Sequence, residues 1–455
     1  MNDSRTTEAS LDEATRIAAL GREHIADIAA RLNDLDEIAA STLVARLPRE
    51  QIIELLDHSE FDQSARLISA LPVQEAATLV AGMSFDRAAD LFLELDPRTR
   101  AKISAALDTE SREAINRLLS YPEDSAGGLM TTEFVSVPST WTVGQTLDHL
   151  RVVERTRETI YAIYVLDSGG HLLKAVTLRR LITGEANAPI LSVAPAHDPI
   201  TTTPLADRED VARLFSKYDL LAVPVLSETR HVIGIVTVDD MIDAIIEEGT
   251  EDAQKFGGME ALDQPYMEIS FLGMLKKRAG WLSVLFLGEM LTANAMQHFE
   301  HELERAIVLT LFIPLIMSSG GNSGSQATSL IIRALALHEM KLGDWWRVAL
   351  REIPAGLTLG AILGALGMAR ITAWQMMGLY DYGEHWELIA LTVGAALVGI
   401  VTFGSLTGSM LPFILRRLGF DPASASAPFV ATLVDVTGLV IYFSVAMLIL
   451  NGTLL

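Results

Sequence analysis

Long apolar segments dominate the chain after residue 275, whereas shorter apolar runs separated by polar residues fill the part before it. About 20 consecutive apolar residues cover the hydrocarbon core of a bilayer as a helix. Five segments reach that length, at about Ala279–Gln297, Ala306–Leu335, Val348–Trp374, Leu388–Leu415 and Ala427–Leu450. The pattern predicts a five-helix transmembrane domain over residues 276–455.

Residues 47–118 show a shorter pattern, in which Leu or Met recurs about every 12 residues. Ser84, Asp96 and Asp108 directly follow three of these positions and can cap the N-termini of helices, and Pro97 suits a first helical position. We therefore predict a small, acidic, all-α superhelical domain over residues 1–128.

From about Leu129 to Ile246, strand-like runs alternate with helices, and the whole pattern occurs twice at a spacing of 60 residues. Residues 163–182 align with residues 223–242, and both read as strand, turn, strand, Thr-x-x and helix. This arrangement resembles paired CBS domains, which are α+β regulatory modules that often bind adenine nucleotides. We assign the two modules to residues 129–191 and 192–250.

The nucleotide signature of such modules is a Ser or Thr followed three residues later by an Asp that can bond a ribose. Thr237 and Asp240 match this signature in the second module. The first module has Thr177 and Arg180 instead, which departs from the pattern. The resemblance therefore implies a nucleotide site, with ATP as its ligand, at the second module.

An acidic stretch follows the second module and leads into a predicted connecting plug helix over residues 251–275. Its sequence is DDMIDAIIEEGTED, over residues 239–252. Carboxylates at this density repel one another across an interface unless cations screen them. A helix face that is simply solvated explains the same composition equally well.

The charge of the chain is strongly divided. Residues 276–455 hold 12 acidic and 11 basic residues, so nearly all of the net charge of -23 lies before them. This acidic excess argues against nucleic-acid binding and favours cations as partners. The chain has no cysteine, which leaves neither disulfides nor thiolate metal sites.

Basic residues mark alternate ends of the predicted spans, before the first, between the second and third, and before the fifth. The opposite loops, 299–305 and 380–387, are acidic. Residues 1–20 are polar and lack the apolar core of a signal peptide. By the positive-inside rule we expect a multi-pass protein of the inner (plasma) membrane, with a cytoplasmic N-terminus and an external C-terminus.

The second predicted span contains a run of small and polar residues, PLIMSSGGNSGSQA, over residues 314–327. Such a run either lines a polar path or forms a glycine and serine packing seam between helices. Asn322 and Gln326 favour the path, because one helical turn apart they place two amides on one face.

Asp435 is the one Asp, Glu, Lys, Arg or His residue after Asp421, and it stands in the middle of the last apolar segment. A carboxylate at bilayer depth costs roughly 2.5–3.5 kcal/mol even on a lenient scale, so we expect it to serve an ion pathway. Ala431 and Gly438 share its helical face and Thr432 adjoins it. We expect Thr432, Gly438, Asn322 and Gln326 to line the pore.

One carboxylate per chain is a weak cation site, so we predict a homodimer that places two Asp435 side chains across its axis. Mg²⁺ gives up its water reluctantly, and a hydrated ion held through its waters fits such a site best. Mn²⁺ and Co²⁺ accept similar oxygen ligands, so the residues alone do not distinguish these ions from Mg²⁺. Glu289, in the first predicted span, has no partner that the sequence reveals.

Two motifs, GGNSGSQ in residues 320–326 and DVTG in residues 435–438, occur together with the acidic α-domain, the CBS-like pair and five spans. This combination resembles the MgtE family of Mg²⁺ channels and transporters over essentially the whole chain. The resemblance implies a multidomain membrane protein whose cytoplasmic dimer closes the pore when Mg²⁺ is high.

By the same resemblance, Asp435 and the carbonyl of Ala431 form the ion site of the pore. The resemblance also implies regulatory Mg²⁺ ligands in the cytoplasmic part and at the start of the fifth span: Glu54, Asp86, Asp90, Asp207, Glu209, Asp219, Asp240, Asp243, Glu248, Glu251, Asp252 and Asp421.

Two other functions compete with a Mg²⁺ channel. A divalent cation exchanger coupled to H⁺ or Na⁺ would use Asp435 as its exchanged site. A membrane enzyme regulated by CBS modules would need a nucleophile and base or a histidine metal motif, and the spans show neither. We therefore expect a transport protein rather than an enzyme.

Overall fold

The computed structural model describes residues 23–154, 157–262, 264, 266–267, 269–337 and 339–454. The chain divides into two compact units, Met1–Ile246 and Glu247–Leu455.

In the first unit, the described residues from 23 onward begin with eight short helices. Each packs against the next but one along the chain, so that α1 contacts α3, α2 contacts α4, and so on through α6 and α8. This stacking confirms the predicted superhelix. The helices are α1 Ile25–Asn33, α2 Glu37–Val44, α3 Arg49–Asp57, α4 Ser64–Ala70, α5 Val73–Val80, α6 Phe85–Glu94, α7 Pro97–Ala106 and α8 Thr109–Leu118.

The predicted helix starts are largely confirmed. Asp96 accepts a hydrogen bond from Arg98 N at 3.0 Å, and Asp108 accepts one from Ser111 N at 2.9 Å. Ser84 occupies the cap position of α6, but its side chain makes no capping bond. Its backbone N–H instead donates to Asp57 Oδ1 at 3.0 Å, so a carboxylate from α3 lies at this helix start.

The two CBS modules confirm the 60-residue repeat down to their strand register. In the first module Ala162 pairs with Thr177, and in the second Ala222 pairs with Thr237, with a bulge at the same relative place. A further strand, β1, runs parallel to β2 in the first module. The elements are β1 Val135–Pro138, α9 Val143–Val153, β2 Ala162–Leu166, β3 Leu172–Thr177, α10 Leu178–Thr183, α11 Arg208–Tyr218, β4 Ala222–Leu226, β5 Val232–Thr237 and α12 Val238–Phe256.

The second unit is built mainly from long helices. They are α13 Phe271–His298, α15 Ile313–Ala336, α16 Trp345–Met376, α17 Trp386–Arg417 and α18 Ala427–Leu450, and a short helix, α14 Glu300–Arg305, follows α13. Short 3-10 turns precede α15, α16 and α18 at Ile307–Phe312, Leu342–Asp344 and Pro422–Ser424.

Among the described residues, four helical segments are long and apolar enough to cross a membrane: Ile307–Ala336, Leu342–Met376, Trp386–Arg417 and Ala427–Leu450. They match the second to fifth predicted spans. The first predicted span lies in α13, whose 28 residues are helical but which is not among the four. The count of five spans therefore stays a prediction.

Glycines bring α15 and α17 into close contact. A Cβ on Gly408 would lie 2.1 Å from the carbonyl oxygen of Gly324, and one on Gly404 would lie 2.4 Å from that of Gly320. Ser323 and Ser405 join the same two helices by a 2.7 Å hydrogen bond between their hydroxyls. No side chain larger than hydrogen fits at these glycine positions.

The small-residue run of α15 is therefore a packing seam on its glycine face. The helix continues unbroken through the run, so it offers no freed backbone carbonyl of the kind that an interrupted helix would.

Candidate cation sites

Asp435 lies near the middle of α18 and is partly buried. The helix begins at a cap on Ser426, whose hydroxyl accepts from Phe429 N at 3.3 Å. It packs on α15 through small contacts, because a Cβ on Gly321 would touch Ala431 at 3.4 Å. Asp435 thus lies two turns into a largely apolar helix whose first turn is capped by Ser426.

Glu289 acquires a neighbour that its sequence context did not reveal. Its carboxylate acts electrostatically on Asp435. The two helices approach closely one residue earlier, where a Cβ on Gly288 would lie 2.9 Å from Thr432 Cγ2. The contact between α13 and α18 therefore places Glu289 on a helix that packs against the helix carrying Asp435.

The residues that we expected beside Asp435 lie in different settings. Gly438 is buried, and a Cβ there would lie 3.2 Å from Met317 Cε, so it packs between helices. Asn322 and Gln326 are exposed in the single chain, on a face of α15 other than its glycine seam. Asn322 Nδ2 donates to Ser318 Oγ at 3.4 Å. The amides are therefore available to line a path, as predicted, and this role stays a prediction.

A cluster of carboxylates forms in the first unit, and we call it the first acidic cluster: Asp57, Asp86, Asp90, Glu133, Glu158 and Asp240. Asp86 is its most buried member, with 5% of its surface exposed, and its Oδ1 has no hydrogen-bond partner among the described residues. Burial, and then the charges of Asp240 and Glu158, raise the pKa of Asp86 well above its ordinary value. The fold thus brings acidic residues of the helical array and both CBS modules together.

Other carboxylates of the first acidic cluster also have raised pKa values. Burial raises the pKa of Glu133 to about 7; burial, followed by the charge of Asp240, raises the pKa of Glu158 to about 7 as well. Burial also raises the pKa of Asp57 and of Asp240 to about 6. Arg87 partly compensates, since its charge lowers the pKa of Asp57 and Asp240. Negative charge is thus in excess, which is the condition that favours a bound cation.

The predicted ligands on α11 are not brought together within one chain. Asp207 caps the start of the helix and accepts from Glu209 N at 2.8 Å, whereas Asp219 ends it. Eleven helical residues span roughly 16 Å. These three residues therefore cannot share one ion unless another copy of the chain contributes.

A second group of carboxylates lies in the second unit, and we call it the junction cluster: Glu248, Glu251, Asp252 and Asp421. Lys255 Nζ lies 2.5 Å from Glu251 Oε1 and 2.6 Å from Asp421 Oδ2. Burial, followed by the charges of Asp421 and Glu248, raises the pKa of Asp252 to about 6. The structure therefore brings four of the predicted ligands together, but with a lysine among them.

The predicted nucleotide pair is in contact. The Thr237 hydroxyl donates to Asp240 Oδ2, and Thr237 has 3% of its surface exposed. Arg180, in the first module, donates to the Val193 carbonyl at 3.1 Å. A ribose at the second module would have to replace the bond from Thr237.

Sequence reasoning did not single out Glu133, Glu158, Asp57 or Lys255. Glu133 and Glu158 lie outside regular elements, 25 residues apart, and come together because Glu158 N donates to the Glu133 carbonyl at 3.0 Å. No spacing in the sequence marks that contact. Within the described part of the chain, no three Asp, Glu or His side chains converge closely enough to hold a metal ion directly.

These features define a class: a membrane protein that joins a helical array and a CBS pair to a bundle of long apolar helices. Family models agree with it. A divalent cation transporter model, MgtE, matches residues 313–445, the MgtE intracellular N domain matches residues 23–124, and the CBS domain matches residues 126–186 and 191–247.

The magnesium transporter MgtE of Thermus thermophilus is 41% identical over 357 residues, which cover 78% of this chain and 77% of that protein. The magnesium transporter MgtE of Enterococcus faecalis is 36% identical over 340 residues, 74% of this chain and 72% of that protein. The chain belongs to the MgtE family.

Among solved structures, the cytosolic domain of the Mg²⁺ channel MgtE in complex with ATP matches at 32% identity with a TM-score of 0.49. The match covers 52% of this chain and 97% of that one.

Proposed function

We propose that this chain conducts Mg²⁺ across the inner membrane as a homodimeric channel, and that cytoplasmic Mg²⁺ closes it. The names of its relatives supply the ion. The observation that carries the proposal is Asp435, a carboxylate in the middle of a 24-residue apolar helix, with the charge of Glu289 acting on it. A bilayer tolerates such a group where it serves an ion path.

The absence of a direct three-residue metal site among the described residues agrees with a hydrated ion. Mg²⁺ keeps several waters and binds through few carboxylates. Two Asp435 carboxylates across a two-fold axis would hold such an ion through its waters, with the Ala431 carbonyl, Asn322 and Gln326 accepting further bonds. We take Mg²⁺ here as the transported ion.

Regulation by the same ion is supported by the first acidic cluster. Asp86 is buried, has an unpartnered oxygen and is surrounded by further carboxylates. Bound Mg²⁺ would lower their mutual repulsion and favour the packed state of the unit, and loss of Mg²⁺ would favour its loosening. The ion would thereby act as substrate and as inhibitor. ATP at Thr237 and Asp240 is a further ligand that we infer from the CBS signature.

Mg²⁺ uptake into proteoliposomes tests the pore residue. We expect Asp435→Asn to lower the uptake rate by roughly tenfold or more, since a tenfold change corresponds to only about 1.4 kcal/mol of lost ion stabilisation. Asp381→Asn is the matched control, because Asp381 lies in a loop where its carboxylate caps Gly383 N at 2.9 Å. Wild-type uptake by correctly inserted Asp435→Asn protein would refute the pore assignment.

Measurements of the electrical current across the same membranes distinguish a channel from an exchanger. We expect the reversal potential to follow the Mg²⁺ gradient alone. A reversal potential that moves with an imposed H⁺ or Na⁺ gradient would instead identify a coupled exchanger.

A further inference from the structure

The first turns of α16 present an exposed aromatic and apolar face. Trp345 and Trp346 begin the helix and are 52% and 49% exposed. Leu350 and Ile353 lie one and two turns after Trp346 on the same face, and both are exposed as well. Only 22% of the most apolar stretch of α16 is buried inside the protein, against 39–61% for the other three apolar helices of the described residues. This face of α16 is therefore the one most available to lipid.

The two tryptophans indicate where the headgroups of a bilayer lie along this helix. Tryptophan collects at the boundary between hydrocarbon and headgroups, because its ring is apolar and its N–H is polar. Trp346 stands at the end of the apolar face, directly before Arg347. The first turn of α16 therefore lies at the level of the lipid phosphates.

Basic side chains flank the tryptophans at this level. Arg347 and Arg351 lie one helical turn apart on α16. The guanidinium of Arg347 lies 5.5 Å from the centre of the Trp346 ring, and its Nη1 lies 3.1 Å from Asp344 Oδ1. The other carboxylate oxygen of Asp344 accepts from Lys341 N at 3.0 Å, so this residue also fixes the turn before the helix.

The ends of two further helices meet the start of α16. Ile331, Leu335, Val348 and Phe413 form one apolar cluster, which joins the end of α15, the start of α16 and the end of α17. The guanidinium of Arg416 donates to the carbonyl of Leu335 at 3.3 Å and ties α17 to α15. The first turn of α16 is therefore held against a packed support.

The segments around this apolar cluster carry an excess of positive charge. Residues 331–352 and 413–417 hold six basic residues and three acidic ones. Basic side chains at a bilayer surface attract anionic headgroups, and a guanidinium can bond two oxygens of one phosphate. The exposed face that begins at Trp346 offers an apolar surface to an acyl chain beside that charge. A ligand that matches both features has an anionic phosphate at one end and a hydrocarbon chain at the other.

We propose that an anionic phospholipid binds at the start of α16. Its phosphate bonds Arg347 and Arg351, and one acyl chain lies along Trp346, Leu350 and Ile353. The arrangement selects anionic lipids over zwitterionic ones, because a zwitterionic headgroup brings its own positive charge close to the two arginines. This binding site does not depend on which ion the protein transports or on how transport is regulated.

Tryptophan fluorescence of the full-length protein in bilayers tests the site. The protein is reconstituted in phosphatidylcholine, and a rising fraction of the lipid is replaced by phosphatidylglycerol with brominated acyl chains, or by brominated phosphatidylcholine. Bromine quenches tryptophan only at short range. The chain has six tryptophans, so the emission of Trp345 and Trp346 is taken as the difference from the same protein carrying Trp345→Phe and Trp346→Phe.

We expect brominated phosphatidylglycerol to reach half-maximal quenching of this emission at a roughly fivefold lower fraction than brominated phosphatidylcholine. Fivefold is the size expected for one basic residue near an anionic surface. The ratio should fall close to one in Arg347→Gln/Arg351→Gln. It should persist in Arg347→Lys/Arg351→Lys, which keeps both charges, and 0.5 M salt, roughly a threefold to fivefold rise in ionic strength over the physiological value, should reduce it.

Arg370→Gln is the matched control. Arg370 lies on the same helix near its other end, with its guanidinium 4.1 Å from the centre of the Trp374 ring. The variant removes an arginine from a similar aromatic contact, and we expect it to leave the lipid preference of Trp345 and Trp346 unchanged.

Three outcomes would overturn the proposal. Equal quenching by the two brominated lipids in the wild type would show that the face meets lipid without selecting its charge. Weak quenching by both lipids would show that protein covers the face, either a second copy of the chain or another part of the same chain. An unchanged preference in Arg347→Gln/Arg351→Gln would place the anionic lipid on other residues.

Discussion

The first acidic cluster and the junction cluster assemble the same chemical groups but treat their charge differently. In the first, Asp86 is buried with an unpartnered oxygen, and Arg87 offsets only part of the negative charge. In the second, Lys255 bonds two of the carboxylates and remains partly exposed, at 25% of its side chain. The first cluster is therefore strained by charge, whereas the second is held together by it.

This difference predicts opposite signs for the neutralisation of an acid. A carboxylate that is buried without a counter-charge opposes folding, so removing its charge stabilises the protein. A carboxylate that is bonded to an ammonium supports folding, so removing its charge destabilises the protein. Three measurements, from the largest expected effect to the smallest, test the contrast.

Asp86→Asn should give the largest change. Without divalent cations at pH 8, we expect the free energy of unfolding of the first unit to rise by about 1–3 kcal/mol, because an uncompensated buried charge is removed. The added stabilisation by Mg²⁺ should shrink in the same variant. Hydrogen exchange of α6 amides in the full-length protein measures both quantities.

The control for this variant is Asp96→Asn, because Asp96 is an exposed cap residue and Asn caps a helix about as well as Asp. A loss of stability in Asp86→Asn, with Asp96→Asn unchanged, would show that the first cluster is not strained by its charge.

Stability of the first unit should fall as the pH rises. The raised pKa values, about 7 for Glu133 and Glu158 and about 6 for Asp57 and Asp240, mean that the folded state holds protons more tightly than the unfolded chain. Their stabilising protonation is complete below the ordinary carboxyl values and is lost as the pH passes through 6 and 7.

Between pH 6 and 8 we expect a decrease on the order of 1–2 kcal/mol after allowance for solvent screening. Saturating Mg²⁺ should reduce the slope, since a bound cation stabilises the same carboxylates in their charged form. Exchange of α6 amides at a series of pH values, corrected for the intrinsic rate, gives the profile. A flat profile without Mg²⁺ would contradict the prediction.

Asp421→Asn should give the smallest change, with the opposite sign to Asp86→Asn. The amide can still accept from Ala423 N, but it loses the charge that holds Lys255, so we expect the junction to weaken by about 0.5–1 kcal/mol. Relief of the repulsion on Asp252 keeps the effect small. Faster exchange of residues 247–262 without divalent cations, diminishing at high salt, is the expected observation.

Asp344→Asn is the matched control, because Asp344 pairs with Arg347 at 3.1 Å in another short turn before a long helix. Slower exchange of the junction in Asp421→Asn would mean that both clusters are strained by charge.

The elements of this protein could be predicted from the sequence because their patterns are local. The recurrence of Leu or Met about every 12 residues marks the helices of the array, and the 60-residue repeat predicts two hairpins with the same register, Ala162 with Thr177 and Ala222 with Thr237. Four of the five predicted spans correspond to helices of sufficient length and apolarity. Each of these features depends on residues close together in the chain.

The candidate sites could be predicted only in part. The family resemblance pointed to Asp86 and Asp240, but the participation of Glu133 and Glu158 depends on a loop contact between distant backbone groups. The same holds for Lys255, which contacts Asp421 across 166 positions, and for Glu289, which lies on α13 where that helix packs against α18. Likewise, the glycine face of α15 is a packing seam rather than a polar path because α17 packs directly against it, and the sequence does not specify that contact.

The sequence by itself determined the order of the domains, the positions of the long apolar helices, and the placement of an isolated carboxylate, Asp435, inside one of them. Periodicity and composition suffice for this, because they govern local backbone structure and burial. Only the tertiary structure decided which acids share a cluster and which of them meet a lysine. That choice depends on packing between segments far apart in the chain, and the strength of an electrostatic interaction depends on distance and burial rather than on sequence separation.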